Sequence, residues 1–166
     1  MTEVATVVTE ELSRSAKRVQ DLLSSLGADF EVVELPSTTR TAAEAAGAIG
    51  CSVEQIAKSI LFRTVTAKKP VMVIASGVNR VNEVRIAEFL GEPIEKADAA
   101  YVRERTGFAI GGVPPIGHAE PILTIIDDDL MSLSELWAAA GTPNAVFKLT
   151  ASSLVRLTGG VVKAIK

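Results

Sequence analysis

Cysteine and histidine occur once each in the 166 residues, as Cys51 and His118, and tryptophan and tyrosine are equally rare. A lone cysteine forms no internal disulfide, and one cysteine with one histidine makes no zinc cluster. Aromatic residues are 4% of the chain, too few for a surface that stacks a row of bases. No apolar run approaches the length of a transmembrane helix. The opening MTEVATVVTEELSRSAKR has acids early and no apolar block behind basic residues, so it does not read as a signal peptide. There is no P-loop and no GxGxxG, which leaves nucleoside triphosphate and dinucleotide enzymes without support. Positive charge is not in surplus. The formal net charge is −3, which argues against a protein that coats DNA or other nucleic acid nonspecifically. These absences favour the cytoplasm, no membrane partner and no metal.

Hydrophobic residues make up 48% of the chain, enough for a substantial core. The length suits one domain over residues 1–166, with 1–10 expected as a frayed start. Leu12, Ala16, Val19, Leu23 and Leu26 recur at helical spacing, and Gly27 stops that helix. FEVVEL reads as a strand ended by Pro36. Thr41-Ala-Ala-Glu44 is a capping box that opens a short helix ending near Gly50, and Ser52-Val-Glu-Gln55 is a second that opens about one turn. SILFRTVTA and VMVIAS read as strands, the second apolar throughout, as for a strand covered on both faces. EVRIAEFLG and ADAAYVRERTG read as helices, PILTIID as a strand with DDD as its turn. A third capping box, Ser132-Leu-Ser-Glu135, predicts a helix through Leu136, Trp137 and Ala140 to Gly141. NAVFKLT, ASSLVRLTGG and VVKAI follow as strand, helix and strand. The expected fold is α/β, more specifically mixed α+β: a curved mixed sheet flanked by helices.

Chemistry has few candidates. Lys58 shares a strand face with Ile60 and Phe62, either as a snorkelling stem or as a fixed cation at the mouth of a cleft. AIGGVPPIGH, residues 109–118, combines three glycines with two prolines. Its free N–H groups belong to Gly111, Gly112, Val113, Ile116, Gly117 and His118, while Pro114 and Pro115 stiffen it. Such a loop either makes a tight structural turn or holds an oxygen that gains negative charge. His118 is a candidate general base, although no serine or cysteine motif points at it. Cys51 reads as a small buried residue rather than a nucleophile. Asp127, Asp128 and Asp129 read as a solvated turn rather than a cation site.

Four stretches in order, TAAEAAGAIGCSVEQIAKSILF, ASGVNRVN, TGFAIGGVPPIGH and AVFKLTASSLVRLTGG, resemble the YbaK/EbsC family, the prolyl-tRNA synthetase-associated domains. The resemblance spans the chain from about residue 25 onward. It implies trans-editing: hydrolysis of the ester of a mischarged aminoacyl-tRNA, typically proline tRNA carrying a small noncognate residue such as cysteine or alanine. It implies the 3′ end of aminoacyl-tRNA as ligand, prolyl-tRNA synthetase as a partner, and no cofactor. By the same resemblance Lys58 is the functional lysine of the AKS motif, and Gly111, Gly112 and Val113 belong to the catalytic G-x-x-x-P loop. Pro115, Ile116, Gly117 and His118 continue that loop. Thr41, Ser76, Gly77 and Asn79 stand as further walls of the cleft. Some members carry an aspartate in the strand before the last helix, where NAVFKLT has none, and glutamine where this chain has His118. Two other readings stay open: a noncatalytic module that binds aminoacyl-tRNA or a synthetase, and a small-ester hydrolase with His118 as base.

Overall fold

The stripe that begins at Leu12 forms α1, Arg14–Ser25, with the Ser13 hydroxyl accepting from the Ala16 N–H at its start. Its buried face is Ala16, Val19 and Leu23. The computed structural model describes residues 12–27 and 29–166, so the expected frayed start at 1–10 lies outside the described residues. The order that follows is β1 (Val32–Glu34), α2 (Ala42–Ile49), a 3-10 turn (Val53–Gln55), β2 (Ile56–Thr64), β3 (Pro70–Ser76), α3 (Glu83–Leu90), β4 (Ile94–Lys96) and α4 (Ala99–Thr106). After the Gly/Pro loop come β5 (Leu123–Asp127), a second 3-10 turn (Asp128–Ser132), β6 (Leu136–Ala139), β7 (Ala145–Leu149), α5 (Ala151–Thr158) and β8 (Val161–Lys163).

All eight strands join one mixed sheet in the order β1-β7-β6-β2-β3-β5-β8, with β4 paired to β2 off that path. β3 is central and alternates. Met72 and Ile74 face a core shared with α1, α4 and α5, and Val71, Val73 and Ala75 face a second core with Ile86 of α3 and Ile165. The expected mixed α/β architecture is the one observed.

Two stretches differ from the sequence reading. The Ser132–Glu135 box opens no helix: a 3-10 turn ends at Ser132, and Leu136–Ala139 is strand β6, with Leu136 and Ala138 turned inward. Leu-Trp-Ala-Ala is compatible with a helix by composition, but pairing parallel to β2 and antiparallel to β7 decides it. Ile94–Lys96, unassigned from sequence, forms β4 across the last residues of β2.

That last pairing shapes the molecule. One edge of β2 carries β6 at Ile56 and Ala57 and β4 from Phe62 to Thr64. Between them, Lys58 to Leu61 have no strand on that edge among the described residues; the Leu61 carbonyl accepts from the Ala97 N–H at 3.3 Å. Strand residues address their two edges alternately, so Ser59 turns its backbone N–H and C=O toward the same opening.

The capping box expected at Thr41 is present. Its hydroxyl accepts from the Glu44 N–H, and the Glu44 carboxylate accepts from the Arg40 and Thr41 N–H groups. Those backbone bonds hold the Glu44 carboxyl below the usual carboxylate range. Thr41→Ala is expected to cost about 1 kcal/mol, or about 2–4 °C in melting temperature by calorimetry.

Candidate active site

The gap along β2 opens into a cleft of about 410 Å³. Its floor is β2 from Ile56 to Leu61. One wall is Arg40, Thr41 and Ala45 at the start of α2, and another is Ile110, Gly111 and Val113 of the Gly/Pro loop. Trp137 and Ala139 of β6, Pro143 and Val146 close the apolar end. Lys58 and Lys96 stand where this chamber meets a second groove that Asn79, Arg80 and Glu83 line on the other side. Burial, and then the charges of Arg80 and Lys96, hold the Lys58 ammonium below its ordinary value. Arg40, Lys58, Arg80 and Lys96 make no ion pair among the described residues. A cluster of unpaired cations beside an apolar chamber suits a ligand with an anionic part and a small apolar part.

The loop answers the tension between its glycines and its prolines. Gly111 adopts φ +93°, a left-handed turn that favours glycine. Gly112 lies against the backbone of Thr142: a Cβ there would come within 2.5 Å of the Thr142 Cα. The two chains are tied by the Gly141 N–H donating to the Gly112 carbonyl at 2.9 Å. Val113 and Ile116 are anchored in the core. The Gly112 N–H donates to the Ala109 carbonyl at 3.1 Å and is not free, contrary to the expectation from sequence. The N–H groups of Gly111 and Val113 have no partner among the described residues.

The sequence candidates therefore separate. Thr41, Lys58, Gly111 and Val113 meet at the chamber. Asn79 faces the adjoining groove with its amide committed, donating to Asp127 and to Asp129 at 2.8 Å each. Ser76 is buried; its N–H donates to Asp127 and its hydroxyl to the Glu54 carbonyl. Gly77 packs on Val53. Pro115, Ile116 and Gly117 are not among the chamber's lining residues and belong to the loop's base. The Asp triplet is not simply a solvated turn: Asp127 is 0% exposed and holds the Ser76–Asn79 segment in place. Its three carboxylates also lie close enough together to hold an ion. Cys51 lies outside the chamber, its thiol pushed up by burial.

His118 is absent from the chamber as well. Its Nε2 lies 2.7 Å from the Pro114 carbonyl, and burial pulls its pKa below 6.5 despite that bond. A folded value below the unfolded one means that stability is full above pH 6.5 and declines as the pH falls toward the folded pKa, where only the unfolded chain takes up the proton. His118→Gln is expected to flatten that acid-side decline in urea titrations. Its effect on turnover should fall well short of the about 10²–10⁴-fold that loss of a general base brings.

Arg40, Lys96 and the β6–β7 residues were missed from sequence. Lys96 and Trp137 lie on the two strands that were not read as strands, and Arg40 lay in a polar loop with no motif of its own.

Residues 36–157 match the family model of the aminoacyl-tRNA editing domain. The chain belongs to that family. An uncharacterized protein of Bacillus subtilis (strain 168), YwhH, is 28% identical over 140 residues, covering 84% of this chain and 88% of the relative. The proline–tRNA ligase of Limosilactobacillus fermentum is 34% identical over 100 residues, which are 56% of this chain and 17% of the ligase. Among solved structures, a candidate trans-editing enzyme for prolyl tRNA synthetase is 46% identical with a TM-score of 0.90, over 94% of this chain and 99% of that one. The hypothetical protein APE2540 is 30% identical with a TM-score of 0.82, over 89% and 98%. As an editing domain, the chain has a chamber whose lining among the described residues includes no Asp, Glu, His or Cys. The polar groups that this lining offers are cations, the Thr41 hydroxyl and main-chain atoms.

Proposed function

We propose that the protein is a trans-editing aminoacyl-tRNA deacylase that hydrolyses the ester of proline tRNA mischarged with a small amino acid, alanine or cysteine. One observation carries this reading: Lys58 stands between a small apolar chamber and a cationic groove. The apolar chamber suits an aminoacyl side chain, and Lys58 with Arg80 and Lys96 suits the phosphate and ribose of the terminal adenosine. The unpartnered N–H groups of Gly111 and Val113 are the loop's available donors to the ester carbonyl as it becomes an oxyanion.

Water adds to the carbonyl carbon, and the carbon–oxygen bond to the ribose breaks. The ribose oxygen then takes up a proton, releasing free tRNA and the amino acid. With no acid or histidine on the chamber wall among the described residues, the neighbouring ribose hydroxyl of the tRNA orients the water. For a cysteinyl ester the side-chain thiol can attack instead, forming a carbon–sulfur bond as the ribose oxygen leaves with a proton. Water then opens the resulting thiolactone to cysteine. The step draws on no metal or organic cofactor. A cytoplasmic setting and delivery by prolyl-tRNA synthetase belong to the same proposal.

Selection is steric, since a prolyl ester must survive. One methylene discriminates by only about 1–3 kcal/mol, so this sieve adds to the synthetase's own rather than replacing it. The test is deacylation of proline tRNA charged separately with alanine, cysteine, serine and proline. Rapid loss of one noncognate ester with prolyl-tRNA spared is expected. No turnover of any ester overturns the enzyme and leaves a module that binds aminoacyl-tRNA.

A further inference from the structure

An aminoacyl ester carries a charge next to its reacting carbon, because a free α-amino group titrates at roughly 7.7–8.0 and is largely protonated below that range. A nearby carboxylate favours the α-ammonium, and nearby cations favour the neutral amine. This chamber supplies the cations. Among the described residues, every ionisable side chain on its wall is a cation: Arg40 before α2, Lys58 on β2 and Lys96 on β4. Arg80 adds a fourth positive charge in the adjoining groove.

The nearby acids are directed elsewhere. Glu44 accepts from the Arg40 and Thr41 backbone, Glu95 pairs with Arg63 and Lys68, and Glu135 pairs with Lys148. Glu83 lines the groove on the far side of Lys58 and not the chamber. His118 lies outside and is held to the Pro114 carbonyl. The uncharged polar groups within reach are the Thr41 hydroxyl and the Ser59 backbone at the open edge of β2. The Ser59 hydroxyl is sealed from solvent and has no partner among the described residues.

We propose that the chamber takes its acyl group with an uncharged substituent on the α-carbon, so that its substrate class includes 2-hydroxyacyl and N-acylated aminoacyl esters of tRNA beside the neutral amine form. This rests on the deacylase reading above. The cations that hold the phosphate repel an α-ammonium, and a neutral amine or hydroxyl avoids that repulsion. Such a group donates a hydrogen bond to the Ser59 carbonyl at the β2 edge or to the Thr41 hydroxyl. The reaction is unchanged: water adds, the ribose oxygen leaves with a proton, and the released acid keeps its hydroxyl or its acylated nitrogen.

The test uses the full chain and proline tRNA carrying alanine, the same preparation deaminated to the lactyl ester, and the N-formylalanyl ester. Each ester's uncatalysed hydrolysis at the same pH is subtracted, and the enzymatic rate is followed between about pH 6 and pH 8, across the amine titration. The lactyl ester matches alanyl in size and never charges. It is expected to be turned over with a flat profile, whereas alanyl turnover falls about tenfold per pH unit below the amine pKa. The Lys96→Glu variant, which brings a carboxylate to the wall, is expected to lessen that fall. N-formylalanyl turnover extends the class to acylated amines, and its failure alone restricts the class to small neutral groups. Flat alanyl turnover with no lactyl turnover overturns the inference and leaves the deacylase intact. Turnover of no ester overturns the deacylase reading itself.

Discussion

Lys58→Ala is expected to lower kcat/KM for deacylation by about 10²-fold or more, while leaving the fold as stable as before. The two halves of this expectation have one cause. Lys58 is half-buried on β2, with Arg80 and Lys96 near enough to depress its pKa and with no carboxylate paired to it. Removing it relieves repulsion in the free protein, so the melting temperature should hold or rise slightly. With substrate bound, the same removal withdraws the cation where the adjoining groove meets the chamber. The ester is then left less well placed against the loop donors. A structural lysine would show the opposite pattern, with stability lost and turnover spared. Lys58→Arg keeps the charge on a planar, differently shaped head and should recover only part of the rate. Single-turnover deacylation together with thermal unfolding separates the outcomes.

Gly112→Ala is the second large effect. The new Cβ would lie 2.5, 2.7 and 2.8 Å from the Cα, C and N of Thr142. These are backbone atoms of the turn between β6 and β7, so no side chain can swing aside. Either the loop or the turn must move, breaking the Gly141–Gly112 hydrogen bond and displacing the N–H groups of Gly111 and Val113 on either side. We expect turnover to fall by about 10²–10³-fold, the range seen when an oxyanion donor is lost, with a clear drop in melting temperature. Gly111→Ala makes an instructive contrast. Its Cβ would meet only Pro143 at an ordinary 3.6 Å, and its penalty is the left-handed φ, about 1–2 kcal/mol. Equal damage from both would mean that loop strain, and not the approach to Thr142, governs the site.

Much of this molecule is legible in its sequence because local signals and tertiary needs coincide. The α1 stripe, the Thr41 box with its reciprocal Glu44 bonds, and the glycines after α2, α3, α4 and α5 each state an element that the fold then uses. Where they part, the reading fails. Ser132 and Glu135 have the spacing of a cap, yet Leu136–Ala139 finds partners on both sides in the sheet, and no local pattern records them. β4 is three residues long and exists through its pairing with β2. The site was legible to the same degree. Lys58 and the Gly/Pro loop announce themselves by residue type. The commitment of Asn79 to Asp127, of His118 to Pro114 and of the Gly112 N–H to Ala109 depends on contacts that only folding creates.

A cleft floored by a bare strand edge offers main-chain atoms, which every residue type carries alike. Lys58 is the exception, because its contribution lies in its side chain. Around that template the walls that set size, Ile110, Val102, Ala139 and Pro143, come from separate elements. Exchanging one apolar wall residue for another would resize the chamber without deleting a hydrogen-bonding group. Retargeting such a cleft to a ligand of another size is therefore a matter of sculpting volume, with the same main-chain groups carried over from one shape to the next.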